Sequence, residues 1–150
     1  MATDWNRAII EEFRANRGKV GGRFKGVSLL LLHSVGTKSG KTRVNPLAYQ
    51  DLGGGLAVFA SKGGAPTNPD WYRHLVANPR ATVEVGTETF DVIARVARGE
   101  ERQRIWATQK QRYPAFAEYE RKTKREIPVI ILERIEPKEM APARGQPRSA

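Results

Sequence analysis

Residues 27–50 read VSLLLLHSVGTKSGKTRVNPLAYQ. From Val27 to Ser34 nearly every residue is apolar, the mark of a strand covered on both faces. Gly36 to Gly40 then breaks the run with a small polar loop, and Thr42 to Gln50 forms the next strand. Pro46 lies inside that second strand and cannot donate to a ladder. Its position implies an edge, a bulge or a place where the backbone turns toward something else.

Working outward from this pair, Asp51 to Gly55 is a glycine-rich turn and Leu56 to Ala60 returns as the partner strand. Ser61 to Asn68 is a loop, after which Asn68 can cap a short helix with Pro69 at its first position, ending before Asn78 and Pro79. Val83 and Val85, then Phe90, Val92, Ala94 and Val96 beyond a turn at Gly86 and Thr87, alternate with polar neighbours as a hairpin does. Glu100 to Arg112 reads as a helix burying Ile105 and Trp106, followed by a short aromatic segment with Tyr113, Phe116 and Tyr119. Pro128 to Ile135 is a last strand. Upstream, Thr3 can cap a helix through about Asn16, with Trp5, Ile9 and Phe13 on one face.

About six strands joined by short turns, with helices between pairs, predict a mostly antiparallel small barrel with peripheral helices rather than a doubly wound sheet. The expected organisation is an N-terminal helix and basic connector over 1–26, a barrel over 27–136, and a disordered proline-containing tail over 137–150.

The chain of 150 residues has no cysteine, which excludes disulfides, thiolate metal sites and cysteine nucleophiles. The absence agrees with a cytoplasmic setting. Lysine and arginine number 26 against 16 acidic residues, a formal charge of +10 that draws anions such as nucleic acid, acidic lipid or a phosphorylated ligand. No apolar run approaches the ~20 residues needed to cross a bilayer, so a soluble protein is expected. Peripheral membrane contact through the first helix is an alternative to simple packing on the barrel.

Several chemistries fall away. Gly36, Gly40, Lys41 and Thr42 imitate a phosphate loop, but only three residues separate the glycines and a strand follows where a helix is required. His33 and His74 do not make a metal site, and no metal is expected. His33 reads as a satisfied core residue. No nucleophile, base and acid set is visible, which favours a borrowed cofactor for any catalysis.

Three loops remain: Thr37, Lys38 and Ser39 with Arg43 and Asn45; Ser61, Lys62, Gly63 and Gly64; and Asn68 to His74. Small residues let a ligand approach backbone amides, while Lys38, Arg43 and Lys62 supply charge. Spacing alone reads equally as solvated turns. Because the first two loops follow successive strands, they can meet at one rim of a barrel and form a single anion groove.

The runs Gly36-Thr-Lys-Ser-Gly-Lys-Thr-Arg-Val-Asn-Pro-Leu47, Ala60-Ser-Lys-Gly-Gly-Ala65 and Asn68-Pro-Asp-Trp-Tyr72, with Leu75 and Ala77-Asn-Pro79, resemble the deazaflavin-dependent nitroreductases of mycobacteria and other actinobacteria. The likeness runs from about Val27 to Ile135. It implies a split β-barrel of the FMN-binding or flavin-reductase type that binds coenzyme F420, a deazaflavin with a phosphate and an oligoglutamate tail. By that resemblance Thr37, Lys38, Ser39 and Arg43 hold the phosphate region, and Val44, Asn45, Pro46, Leu47 and Ala48 run along the ring. Phe59, Ala60, Ser61 and Lys62 face ring and tail, and Asp70, Trp71, Tyr72, Arg73 and His74 close the groove.

Ala48, Ser61, Tyr113, Phe116 and Tyr119 correspond to the family's acceptor pocket, with Tyr119 and Tyr113 as catalytic candidates. Where relatives carry tyrosines, Ala48 and Phe116 lack the hydroxyl, which bears on the acceptor more than on the coenzyme and leaves nitro reduction open. The implied activity is hydride transfer to a quinone, an enone or another conjugated acceptor by a monomer or homodimer. FMN in the same barrel is an alternative cofactor. A basic module binding nucleic acid is the non-enzymatic alternative.

Overall fold

Leu29, Leu30, Leu31 and Leu32 are all buried in the computed structural model, which describes residues 2–21, 26–36 and 40–135, with side chains from Asn6 onward. Alternate leucines serve two different cores. Leu30 and Leu32 point inward with Val58, Val83, Val92, Ile130 and Leu132, while Leu29 and Leu31 point outward against Ile9, Phe13 and Val20. A strand buried on both faces has no polar side to present, which explains the unbroken apolar run.

The elements in order are α1 (Ala2–Ala15), β1 (Leu29–Val35), β2 (Thr42–Asp51), β3 (Leu56–Phe59), a 3-10 turn at Lys62–Gly64, α2 (Asp70–Ala77), β4 (Arg80–Val85), β5 (Glu88–Val96), α3 (Gly99–Arg112), α4 (Ala115–Lys122) and β6 (Val129–Arg134). The six strands close into a barrel in the order β1-β2-β3-β6-β5-β4, and every neighbouring pair is antiparallel. The mostly β architecture with peripheral helices expected from the alternation is therefore the one observed. The apolar stripe of α1 is spent on the barrel, since Ile9 and Phe13 lie buried against β1 and β2. Trp5 carries no described side chain, and residues 22–25 of the basic connector and the tail from residue 136 lie outside the described residues.

Two features of the topology prepare a site. β1 and β3 are both antiparallel to β2, so they run the same way and the connections that follow them emerge at one rim. β2 pairs with β1 from Thr42 to Ala48, yet it pairs with β3 only at Tyr49, Gln50 and Asp51. The upper part of β2 thus has a strand on one side only. Pro46 sits in that unaccompanied part, opposite Leu31, an edge-like position that tolerates a missing donor.

Four local readings shift. Pro69, not Asn68, occupies the N-cap of α2, and no side chain caps the helix. The Asn68 carboxamide is instead taken by Arg125, whose charged donor competes better than a helix amide. The aromatic segment after Pro114 is a helix, α4, with Pro114 fixed in the helical region at φ −57°. The first helix begins at Ala2, so Thr3 lies inside it rather than at its cap, while α3 follows its expected bounds to within one residue, beginning at Gly99. His33 is half-buried on the outer face rather than in the core, and its Nε2 lies 2.6 Å from Glu84 Oε2.

Candidate functional site

The rim where the connections after β1 and β3 emerge is built from β2, the Ser61–Ala65 turn, α2 and α4. On β2, Arg43 is exposed and lies opposite Ser34, and Asn45 and Pro46 are half-buried opposite Leu32 and Leu31. Val44 and Ala48 face outward and pack in the cluster beneath α1, while Leu47 packs on the barrel interior. Of the loop after β1, Gly36 and Gly40 are described: the Gly40 amide donates to the Gly36 carbonyl at 3.0 Å and the Gly36 amide to Lys41 at 2.8 Å. Thr37, Lys38 and Ser39 lie outside the described residues.

Phe59, Ala60 and Ser61 are buried at the end of β3, and Lys62 then projects into solvent. The turn is tight because Ser61 is right-handed helical and the next three residues are left-handed, with φ of 48° at Lys62, 63° at Gly63 and 86° at Gly64. Gly63 has open space above it, whereas a Cβ on Gly64 would stand 2.9 Å from the Tyr119 carbonyl oxygen and from Lys122 Cβ. Glycine at 64 is what allows the turn to sit on α4. A right-handed residue followed by a left-handed one also turns successive amides toward a common concavity, a geometry suited to anions.

Of the α2 residues, Trp71 and Leu75 belong to the barrel interior and plug this end, with Tyr72 packed against the same core. Asp70 and Arg73 form an exposed ion pair with each other. His74 Nδ1 lies 3.3 Å from Ser34 Oγ on β1, pinning the plug to the rim. The segment thus closes the barrel from above, with Trp71 committed to packing.

Tyr113, Phe116 and Tyr119 do come together. Phe116 is the hub, with ring centroids 5.2 Å from Tyr119, 6.4 Å from Tyr113, 5.6 Å from Phe59 and 6.1 Å from Trp106. This cluster covers the outer face of β3 and β6. Trp106 Nε1 donates to Glu120 Oε2 at 2.6 Å, a bond that, with Lys110, holds the Glu120 carboxyl below its usual range. Between β2 and α3, buried Gln50 donates through Nε2 to the Ile105 carbonyl at 3.1 Å and to Gln109 Oε1 at 3.3 Å. The Tyr49 hydroxyl is pushed up, chiefly by burial, with Asp51 and Tyr113 adding to the effect. Ala48 lies on the other flank, with α1, so the five residues expected to meet an acceptor divide between two walls.

The electrostatics are uneven. Several carboxylates are neutralised by cations: Glu84 by Arg14, Glu101 and Glu133 by Arg95, Glu120 by Lys110, Glu126 by Arg102 and Glu88 by Arg134. Arg43, Lys62, Lys122 and Arg125, on the elements that build this rim or beside them, have no carboxylate partner among the described residues, a state shared by other surface cations such as Arg80, Arg98 and Arg112. Lys62 Nζ donates only to Thr67 Oγ1, at 3.3 Å. Arg125 was not singled out by any motif or periodicity, since an arginine between a helix and a strand has no characteristic spacing. It donates to the Ala65, Ala60 and Ser61 carbonyls at 2.9, 3.2 and 2.9 Å and to Asn68 Oδ1 at 2.7 Å. Burial pushes its pKa down. A donor set of this kind, rich in cations and poor in acids, matches an anionic ligand.

Comparison with known proteins bears on the family and the fold. The profile of the family described as F420H(2)-dependent quinone reductase matches residues 5–134. An F420H(2)-dependent quinone reductase of Mycobacterium tuberculosis is 34% identical over 126 residues, covering 81% of this chain and 85% of that protein. A solved F420-H2 dependent reductase is 43% identical with a TM-score of 0.65, covering 71% of this chain and 94% of its own. Another solved chain, described as a domain-swapped dimer, is 39% identical with a TM-score of 0.67 and covers 89% of this chain and all of its own, 100%.

Proposed function

The chain belongs to the F420H(2)-dependent quinone reductase family, and from that premise we propose that it reduces a quinone with electrons from reduced coenzyme F420. When bound, the reduced deazaflavin supplies a hydride, and the protein's task is to seat coenzyme and acceptor against each other. The residues present suit that coenzyme. A phosphate and a chain of glutamates carry several negative charges, and the observation that supports the assignment most is that Arg43, Lys62 and Arg125 at this rim have no carboxylate partner among the described residues, while the rim's acids, Asp70, Glu118 and Glu120, are each already paired with another cation.

In this reading Arg43 and Lys62 take the anionic part of the coenzyme, together with Thr37, Lys38 and Ser39, which precede Arg43 in sequence. Arg43 can offer two donors to one phosphate. The ring lies along Asn45 to Ala48, where β2 lacks a strand on one side. Tyr119 and Tyr113 hold the acceptor oxygen or return a proton to it, a role their hydroxyls allow and Phe116 does not. Enones and other conjugated carbonyl acceptors share the chemistry and form the wider substrate class.

The test is turnover of a quinone and an enone panel by the purified protein with reduced F420, reduced FMN and NADPH run side by side. Quinone reduction with F420 well above both controls is the expected result. Equal rates with FMN, or none with F420, would reject the reading. The cationic rim also suits nucleic acid, but family membership favours the coenzyme, and a gel shift with random duplex at moderate salt is expected to show no complex.

A further inference from the structure

Arg125 lies in the connection between α4 and β6, within the stretch Thr123-Lys-Arg-Glu126. All its guanidinium bonds converge on one loop. Nε donates to the Ala65 carbonyl at 2.9 Å, Nη2 to the Ser61 carbonyl at 2.9 Å, and Nη1 to the Ala60 carbonyl at 3.2 Å and to Asn68 Oδ1 at 2.7 Å. These acceptors stand at the start, middle and end of the segment that leads from β3 to α2. Bonds from a charged donor are roughly twice as strong as neutral ones.

The loop needs such a hold. Three consecutive residues, Lys62, Gly63 and Gly64, are left-handed, a conformation that persists only where surroundings over-determine it. The other observation is electrostatic. All acceptors of Arg125 are neutral, and Glu126, its neighbour in sequence, reaches Arg102 instead at 3.8 Å. The charge is therefore fixed in place, partly desolvated and, among the described residues, unpaired with any carboxylate, and it grips the carbonyl of Ser61, the residue just before exposed Lys62.

We propose that Arg125 is a positioning residue for coenzyme binding: it holds the Ser61–Asn68 loop in the shape that receives the anionic tail and adds to that site a positive charge that no carboxylate among the described residues pairs with. The proposal rests on F420 being the coenzyme. Lysine cannot replace it fully, because an ammonium has the charge but not the planar fork that reaches several carbonyls at once.

The experiment compares wild type, Arg125→Lys and Arg125→Gln by fluorescence titration with F420 and with the deazaflavin riboside that lacks phosphate and glutamates. Amide hydrogen exchange over residues 61–68 is measured on the coenzyme-free proteins. Arg125→Gln should weaken F420 by about tenfold or more and the riboside by less than about threefold, with faster exchange in the loop. Arg125→Lys should speed exchange similarly but lose less F420 affinity, since it keeps the charge. Equal losses for both ligands would reduce Arg125 to a structural bolt, and unchanged F420 affinity would overturn the proposal. If wild type binds neither ligand, the coenzyme reading fails and takes the anionic role with it, while the exchange data still decide whether Arg125 holds the loop.

Discussion

Arg14 on α1 and Glu84 on β4 meet in a two-pronged ion pair, Nε to Oε1 at 3.0 Å and Nη2 to Oε2 at 2.6 Å. His33 on β1 reaches the same Oε2 at 2.6 Å. One carboxylate thus fastens the N-terminal helix to two strands of the barrel. The Arg14 bond holds the Glu84 carboxyl below its usual range, burial opposes it, and His33 adds in the same direction as Arg14.

A carboxylate whose pKa is lowered by folding stabilises the folded state above its unfolded pKa, and that contribution is lost as pH falls through the lowered folded value. Acidification below about pH 4 should therefore loosen α1 before the barrel opens. Hydrogen exchange across α1 from pH 7 to pH 3, corrected for intrinsic rates, reads this directly. Glu84→Gln should remove the acid step at a cost of about 1 kcal/mol or less, because Arg14 is half exposed. A wild-type α1 equally protected across the range would disprove the latch.

Gly64→Ala and Gly63→Ala should separate strain from collision. Both positions are left-handed, but only at 64 would the new Cβ meet backbone and side chain at 2.9 Å. Gly63→Ala should cost about 1 kcal/mol and Gly64→Ala about 2–3 kcal/mol or more. Urea denaturation of both variants measures the gap, and equal costs would argue against the tight contact with α4.

Arg43→Ala removes an exposed cation with no ion-pair partner among the described residues. Stability should stay within about 0.5 kcal/mol. F420 affinity should fall by about tenfold to a hundredfold, the equivalent of losing a charge-assisted contact of about 1.5–3 kcal/mol. Coenzyme fluorescence titration checks this, and an unaltered dissociation constant would remove Arg43 from the site.

Trp71 is 6% exposed inside the barrel mouth. Trp71→Ala should destabilise the protein by about 3–5 kcal/mol through the cavity it leaves. Thermal unfolding with and without coenzyme distinguishes a plug from a contact residue. A variant that keeps its stability but loses only coenzyme affinity would return Trp71 to the ligand.

Much of this was readable along the chain. The largely apolar run at Val27–Ser34 predicts a doubly covered strand, and Leu29–Leu32 within it are buried on both faces. The alternation of Val83, Val85, Phe90, Val92 and Ala94 predicts the β4–β5 hairpin, which is present with its turn at Gly86 and Thr87. Pro46 implies an edge, a bulge or a backbone turned aside, and of these the edge is what forms, where β2 runs without β3. The α4 helix was hidden because its eight residues, Ala115–Lys122, are too few to display a helical stripe, and its partners Phe59 and the turn at Gly64 are remote. Asn68 has the chemistry of a helix cap and lost that role to an arginine 57 positions away.

Taken alone, the order of residues determined the strands, their turns, the surplus of positive charge and the glycines at which the chain can become left-handed, because each depends on neighbours a few bonds apart. Only the closed barrel decided which charges stay uncancelled, that Trp71 is a plug, and that Arg125 grips the loop from Ala60 to Asn68. Those outcomes depend on register between strands distant in sequence, and a register is set by the summed packing of the whole core rather than by any segment's own preference.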